Sequence, residues 1–135
     1  MKYFLFLLFV IELAFSFLML NRAVASYYVR FNDFKTASEI EPWNWSHHFQ
    51  VGNRLLGASK PIEAIPYFRR ANSMMPYHWG PVNNLAISYG MTGDLERGKR
   101  MIDELLRLFP GNPVITENKG IIQQFINEVD KHETR

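Results

Sequence analysis

The chain contains no cysteine, which excludes a disulfide framework, a redox-active thiol pair and a thiol nucleophile. Its charge is nearly balanced, with 15 Lys and Arg residues against 13 Asp and Glu residues, and the basic residues are scattered along the sequence. Nucleic-acid-binding proteins usually gather basic residues into a patch or stripe, so nucleic acid is not an expected partner. The sequence also lacks a phosphate-binding loop, a paired carboxylate and a nucleophile–base pair. These absences indicate a protein that is not an enzyme and that needs no metal, cofactor or small-molecule substrate.

Three prolines, Pro42, Pro76 and Pro110, stand 34 residues apart, each within a segment that also carries Trp or Asn. A constant period of this length is typical of proteins built from stacked pairs of helices. Between the prolines, apolar residues recur at helical spacing over 45–58, from 61 onward, and over 79–91 and 95–109. The pattern predicts two complete helical pairs joined by short turns.

Small and bulky residues stand at matching offsets in the two periods. The first period supplies Gly52, Leu55, Ala64, Phe68, Ala71 and Pro76, and the second supplies Ala86, Tyr89, Gly98, Ile102, Leu105 and Pro110. In these positions the chain resembles the tetratricopeptide repeat (TPR), a helix–turn–helix unit, over roughly 27–131; Leu55 and Leu105 depart from the family pattern. The resemblance implies an all-α solenoid whose first helices line a concave groove for a peptide or helix of another protein.

The flanking segments continue the period. Phe34, Ala37 and Pro42 lie one period before equivalent residues of the first pair, so 27–41 is expected to be the second helix of a pair. The first helix of that pair would be the segment before it. A further helix is expected over 113–129, followed by a polar tail at 132–135. The solenoid should therefore have about two full repeats with a half repeat at each end.

The N-terminal segment is apolar over residues 3–20, with one charged residue, Glu12. Eighteen apolar residues are about enough to span a bilayer. An acidic residue costs about 3 kcal/mol at the centre of a membrane helix, whereas Leu, Ile, Phe and Val each favour insertion by about 0.3–0.6 kcal/mol. Because the run contains thirteen of these four residue types, the sum favours insertion. We expect a transmembrane anchor at 1–26 and a repeat domain at 27–131.

A cleaved signal peptide is the alternative. The Ala23-Val24-Ala25 segment before Ser26 resembles a signal-peptidase site. The apolar run is longer than that of most signal peptides, however, and cleavage would remove the first helix of the pair that 27–41 completes. The sequence therefore favours an uncleaved anchor.

The flanking charges do not fix the orientation. Lys2 favours a cytoplasmic N-terminus, whereas Arg22, Arg30 and Lys35 favour the opposite. The signal-like start indicates a single-pass protein of a bacterial inner membrane, with the repeat domain outside the cytoplasm.

A narrow polar and small-residue stripe lies within the apolar helix. An ionisable group in a bilayer usually faces protein or water, which makes Glu12 a candidate for contact with a membrane partner. Three further residues share its face at helical spacing, and small residues on such a face let another helix approach. The predicted intramembrane partner face consists of Glu12, Ser16, Met19 and Ala23.

The resemblance places a second candidate site in the groove. TPR proteins that clamp a peptide's C-terminal carboxylate carry asparagine at the places of Asn53 and Asn84, but their basic residues are replaced here by Phe49, Val114 and Asn118. We therefore expect a mixed amide and apolar groove for an extended or helical protein segment. Its predicted residues are Phe49, Gln50, Asn53, Leu56, Asn83, Asn84, Ile87, Met91 and Asn118.

Aromatic and histidine residues cluster at the expected turns. His47 and His48 are adjacent and point about 100° apart on a helix, which does not suit a metal site. His78 takes the turn position held by Asn44 and Asn112, so a structural role is expected. For Trp43, Trp45 and Trp79, packing at the helix ends and contact with a membrane interface are both open, and packing is favoured.

The sequence thus predicts a membrane-anchored scaffold that acts as an accessory or assembly subunit of a larger membrane complex. The membrane helix followed by Tyr27-Tyr28 and repeats is also similar to the C-terminal part of some O-antigen ligase or polymerase-type proteins. That resemblance implies, as an alternative, a periplasmic module assisting such an enzyme. A secreted soluble TPR binder is the other alternative.

Overall fold

The computed structural model describes residues 2–133, and every regular element among these residues is an α-helix. Met1 of the expected anchor and residues 134–135 of the expected tail lie outside the described residues. Each helix packs against its neighbours in sequence, so the chain forms the all-α solenoid that was predicted. The helices are α1 Lys2–Arg30, α2 Phe34–Ile40, α3 Trp45–Gly57, α4 Pro61–Met74, α5 Trp79–Met91, α6 Leu95–Leu108 and α7 Pro113–Glu133.

The two complete repeats are α3 with α4 and α5 with α6, and their bounds agree with the prediction to within one residue. Three N-caps recur one period apart: the Asn44 side chain accepts from the Ser46 N–H, His78 from the Gly80 N–H, and Asn112 from the Val114 N–H. These caps satisfy backbone donors that have no partner inside the helix. The structural role expected for His78 is confirmed.

Small residues set the spacing within each pair. The side chain of Phe68 is completely buried against Gly52, and a Cβ atom on Gly52 would lie 2.6 Å from its ring. In the second repeat Gly98 lets α6 approach the backbone of α5 closely, because a Cβ on Gly98 would lie 2.7 Å from the carbonyl oxygen of Ala86. Apart from the exposed prolines Pro76 and Pro110 and the half-buried Leu55, the residues that carry the family resemblance are therefore buried in the core.

The first pair differs from the prediction in its turn. The expected helix over 27–41 is wrong at its start, because α1 continues to Arg30 and α2 is only seven residues long, Phe34–Ile40. The chain turns at Asn32, which has a left-handed φ of 63°, and the Asp33 side chain then caps α2. Ala25 of α1 and Ala37 of α2 are completely buried, so the end of α1 does serve as the first helix of this pair.

The last helix, α7, closes the stack. Ile115 and Ile122 are buried against the second repeat, and Lys119 forms an ion pair with Asp103 of α6 at 2.9 Å. Gly120 takes the repeat position of Gly52, yet a Cβ there would meet nothing within 4 Å. Its neighbours on that exposed face are polar, as is usual for the outer face of a terminal helix of a solenoid. They are Thr116, Glu117, Gln124 and Asn127.

The N-terminal part of α1 stands apart from the stack. Residues 3–20 are all exposed, and the helix has a mean hydropathy of 2.4 in its most apolar window, so α1 is long and apolar enough to cross a bilayer. The boundary expected between 26 and 27 lies inside this helix. One continuous helix therefore contains both the candidate membrane span and the first packing helix of the repeat domain.

Candidate partner-binding groove and membrane face

The first helices of successive pairs form one face of the solenoid, with α5 in contact with both α3 and α7. A chain of side-chain amides crosses this face. Nδ2 of Asn84 donates to Oδ1 of Asn53 at 2.7 Å, and Nδ2 of Asn83 donates to Oδ1 of Asn84 at 3.0 Å. The two asparagines predicted from the resemblance are thus brought together, and they connect α3 with α5.

Asn83 lies beneath this surface and is almost completely buried. Its Oδ1 atom has no hydrogen-bond partner among the described residues. A buried amide oxygen without a donor destabilises a fold by about 1–3 kcal/mol, so this oxygen does not contribute to stability. The amide of Asn83 donates to Asn84 from below, and the amides of Asn53 and Asn84 are half-buried at the surface.

The other predicted groove residues differ in how deeply they are buried. Ile87 belongs to the core of the second repeat, and Leu56 packs against the same cluster. Phe49 is half-buried beside Phe68, with ring centroids 6.0 Å apart. Met91 is exposed, and two polar residues of the groove are half-buried. These two residues are Gln50 and Asn118. The face is mixed in character, with amides at its centre and apolar side chains around them.

The predicted intramembrane face is exposed along its whole length. Glu12 and Ala23 are eleven residues apart, which places them within about 20° of each other around a helix. Ala23 lies about 200° around α1 from Ala25, the residue buried against α2. The Glu12 face therefore points away from the repeat domain, and Ser16 and Met19 lie on it.

A buried polar cluster at the α2–α3 turn was not predicted. Nε2 of His47 lies 2.8 Å from Oε2 of Glu41, and Nδ2 of Asn44 donates to the same oxygen at 3.1 Å. Burial raises the pKa of the Glu41 carboxyl, but the hydrogen bonds from His47 and Asn44 and the charge of Arg22 outweigh it and lower that pKa below its ordinary value. The spacing of these residues around Pro42 is the only sequence signal that points to the cluster.

His48, the neighbour of His47, also stabilises the α2–α3 turn. Nε2 of His48 lies 3.0 Å from the Pro42 carbonyl oxygen, and a carbonyl can only accept, so Nε2–H is the donor. Trp45 and Trp79 are half-buried, and Trp45 packs on His78 with ring centroids 4.8 Å apart. The packing role is confirmed for these two tryptophans, whereas Trp43 is exposed.

Arg54 links the first pair to the repeats and was also missed. Its guanidinium donates to the Asn32 carbonyl at 2.5 Å and lies 4.8 Å from the centre of the Phe34 ring. No sequence pattern marks this contact, because the bonded residues are 22 positions apart. It fixes the α1–α2 turn against α3.

Comparison with known proteins agrees with this architecture. No family model and no curated protein sequence matches the chain. Among solved structures, the chain is similar to the first TPR of Spaghetti (RPAP3) bound to the HSP90 peptide SRMEEVD, with a TM-score of 0.65 and 14% identity over 81% of this chain and 92% of that one. It is also similar to the first TPR domain of the human RPAP3 protein, with a TM-score of 0.65 and 13% identity over 84% and 94% of the two chains. At these identities the likeness establishes the fold: the repeat region is a TPR-like solenoid.

Proposed function

We propose that this protein is a membrane-anchored scaffold that binds a protein segment in its groove and a membrane subunit along α1. It acts as an accessory or assembly subunit of a larger membrane complex, and it is not an enzyme. The amide chain of Asn53, Asn84 and Asn83 is the observation that carries the groove proposal, because it keeps a buried oxygen unpaired beneath an open surface. The peptide bound to the TPR of Spaghetti supports an extended segment as the ligand.

Photo-crosslinking in native membranes tests the groove. A benzophenone amino acid in place of Met91 should capture a specific protein, because Met91 is exposed at the groove. The same probe in place of Arg69, an exposed residue of α4, is the control. Adding Asn84→Ala should abolish the product formed from position 91. Equal products at both positions, or no dependence on Asn84, would contradict a specific groove ligand.

The anchor proposal rests on α1. The eighteen residues of the apolar run, 3–20, are all exposed, and no other helix of the described chain covers them. Ala25 is buried in the packing between α1 and α2, so removal of residues 1–25 would uncover α2. This supports an anchor that stays attached over the alternative of a secreted binder. Intact-mass measurement of the native protein distinguishes the two, because a mature chain starting at Ser26 would contradict the anchor.

Glu12 is proposed to contact a membrane subunit. The Glu12→Leu variant should insert normally, because the substitution removes an unfavourable charge from the span, but it should lose its membrane partner in mild-detergent purification. Phe17→Leu, about 140° around the helix, is the matched control and should keep the partner. Unchanged co-purification of Glu12→Leu would contradict this contact. A partner that is a polytopic glycan-assembly enzyme would instead favour the alternative module function.

A further inference from the structure

The three turns that join successive helical pairs form one edge of the repeat domain, here called the inter-pair edge. It comprises the turns at 41–44, 75–78 and 109–112 together with the helical residues that flank them, among them Trp45 and Leu108. The first two turns are in contact through Trp45 and His78. The second and third are connected by a pocket of about 390 Å³ that Tyr77 and Leu108 both line. The edge is therefore continuous from α2 to α7.

Large apolar side chains are exposed along this edge. Trp43 is 54% exposed, Tyr77 is 91% exposed, and Leu108 at the end of α6 is 66% exposed. Single exposed apolar residues are ordinary on a protein surface. Here they recur at each turn, and two of them are the residue types that favour a membrane–water interface.

The position of the edge relative to α1 is the second observation. The apolar run ends at Leu20, and Arg22, two residues later, lines an open pocket of about 480 Å³ together with Glu41 and Trp43. Two helical residues correspond to about 3 Å along the axis. Because α2 runs back along α1, the chain returns at its first inter-pair turn to the level at which the apolar run ends.

The opposite edge lies much farther from that level. Its first turn is at Asn32, twelve residues beyond Leu20, which corresponds to about 18 Å along α1. The hydrogen bond from Arg54 to the Asn32 carbonyl holds α3 at this height. The headgroup region of one leaflet is only about 5–8 Å thick. A bilayer that contains residues 3–20 would therefore reach the inter-pair edge and not the opposite edge.

Building on the anchoring proposed above, we propose that the inter-pair edge lies on the surface of the bilayer that α1 enters. Trp43 sits in the headgroup region beside α1, and Tyr77 and Leu108 contact the same lipid surface farther along the solenoid. The aliphatic part of the Arg22 side chain lies beside the apolar region, and its guanidinium extends to the lipid phosphates. The repeat domain then lies along the membrane, with its helices upright and in line with α1.

The cysteine-free chain permits a direct test with single labels. The full chain is reconstituted in phosphatidylcholine–phosphatidylglycerol vesicles that contain lipids with a nitroxide near the headgroup. An environment-sensitive fluorophore is attached in turn to Trp43→Cys, Tyr77→Cys and Leu108→Cys. Two further labels serve as controls, Ile62→Cys, which is 74% exposed on α4 near the opposite edge, and Leu8→Cys within the apolar run. Circular dichroism verifies that each labelled variant is helical.

We expect labels at positions 43, 77 and 108 to be quenched several-fold more than the label at 62, with position 43 quenched most. A label at position 8 that is protected from aqueous iodide, together with edge labels no more quenched than position 62, would overturn this inference and leave the anchor intact. Iodide access to position 8 would instead overturn the anchor itself. Edge labels that are shielded from both iodide and the lipid quencher would show that protein covers the edge, which also overturns the inference.

Discussion

Gly52 and Phe68 are in such close contact that the Phe68 ring occupies the place where a side chain on residue 52 would begin. The ring is completely buried, and the first carbon of a larger residue would lie 2.6 Å from it. The two helices of the first repeat approach closely because residue 52 has no side chain. Gly120 occupies the same repeat position in α7 without any such neighbour.

This difference predicts opposite effects of one substitution. Gly52→Ala should lower the free energy of unfolding by about 1–3 kcal/mol, because the added methyl group overpacks a filled core. Gly120→Ala should raise it by about 0.5–1 kcal/mol, because alanine is favoured over glycine in an open helical position. Urea denaturation of the two variants in the same detergent measures both. A loss of stability on Gly120→Ala would show that the open face of α7 is occupied.

The recurring N-caps give a second prediction. Asn112 caps α7 by accepting from the Val114 and Ile115 N–H groups at 3.1 and 3.3 Å. Asn112→Ala should therefore cost about 1 kcal/mol, whereas Asn112→Asp keeps an acceptor and should cost much less. Thermal unfolding of the three proteins compares them. If both variants lose the same stability, the cap hydrogen bonds are not the cause.

His48 should make the stability of the fold sensitive to mild acid. Burial lowers the pKa of its imidazole below the ordinary value of 6.5, since protonation would place a charge inside the first repeat. The stability that depends on neutral His48 is present in full above about pH 6.5 and is lost as the pH falls below that value. Unfolding free energies measured between pH 7.5 and pH 5 should decrease for the natural protein.

The His48→Gln variant is the comparison for that measurement. Its side-chain amide can still donate to the Pro42 carbonyl, and every other titrating group is retained. The variant should lose less stability than the natural protein over the same pH range. Identical pH profiles would assign the acid sensitivity to another group.

Substitution of Asn83 should weaken binding in the groove without lowering the stability of the fold. The Asn83→Leu variant removes the buried oxygen that lacks a donor, so it should be as stable as the natural protein or more stable. It also removes the donor that orients Asn84, so crosslinking of the groove partner from position 91 should decrease. A large loss of stability would mean that the fold requires the Asn83 amide, which would contradict a role for Asn83 in ligand binding alone.

The period of the prolines was sufficient to predict α3 to α6 and the start of α7, because turns and caps recur at fixed offsets there; α7 continues to Glu133, four residues beyond the expected end. The first pair departed from that period for a physical reason. The period places this turn near residue 25, but no glycine, asparagine or aspartate lies between 22 and 31, so α1 continues to Arg30 and the left-handed residue is Asn32. Asn32-Asp33 is the counterpart of Gly93-Asp94, a left-handed residue followed by a helix cap, and this similarity could have located the turn.

The sequence predicted which residues share the groove face but not which of them are buried. Family offsets placed Asn53 and Asn84 on one face, and the structure joins them by a hydrogen bond. The offsets could not show that Asn83 is buried or that Ile87 belongs to the core, since both depend on how closely α5 is flanked by α4 and α6. The hydrogen-bonded turn at Glu41 was equally hard to predict, because a carboxylate beside a proline has no distinctive sequence pattern.

The unbroken course of α1 has a mechanical consequence. The apolar run of eighteen residues corresponds to about 27 Å, close to the thickness of the hydrocarbon core of a bilayer, so an embedded α1 would need little tilt to cross it. Because the same helix continues into the hairpin with α2, and Arg54 connects that hairpin to α3, any tilt of an embedded α1 would turn the repeat domain with it. In the anchoring proposed above, the angle of α1 would therefore set the angle between the repeat domain and the bilayer.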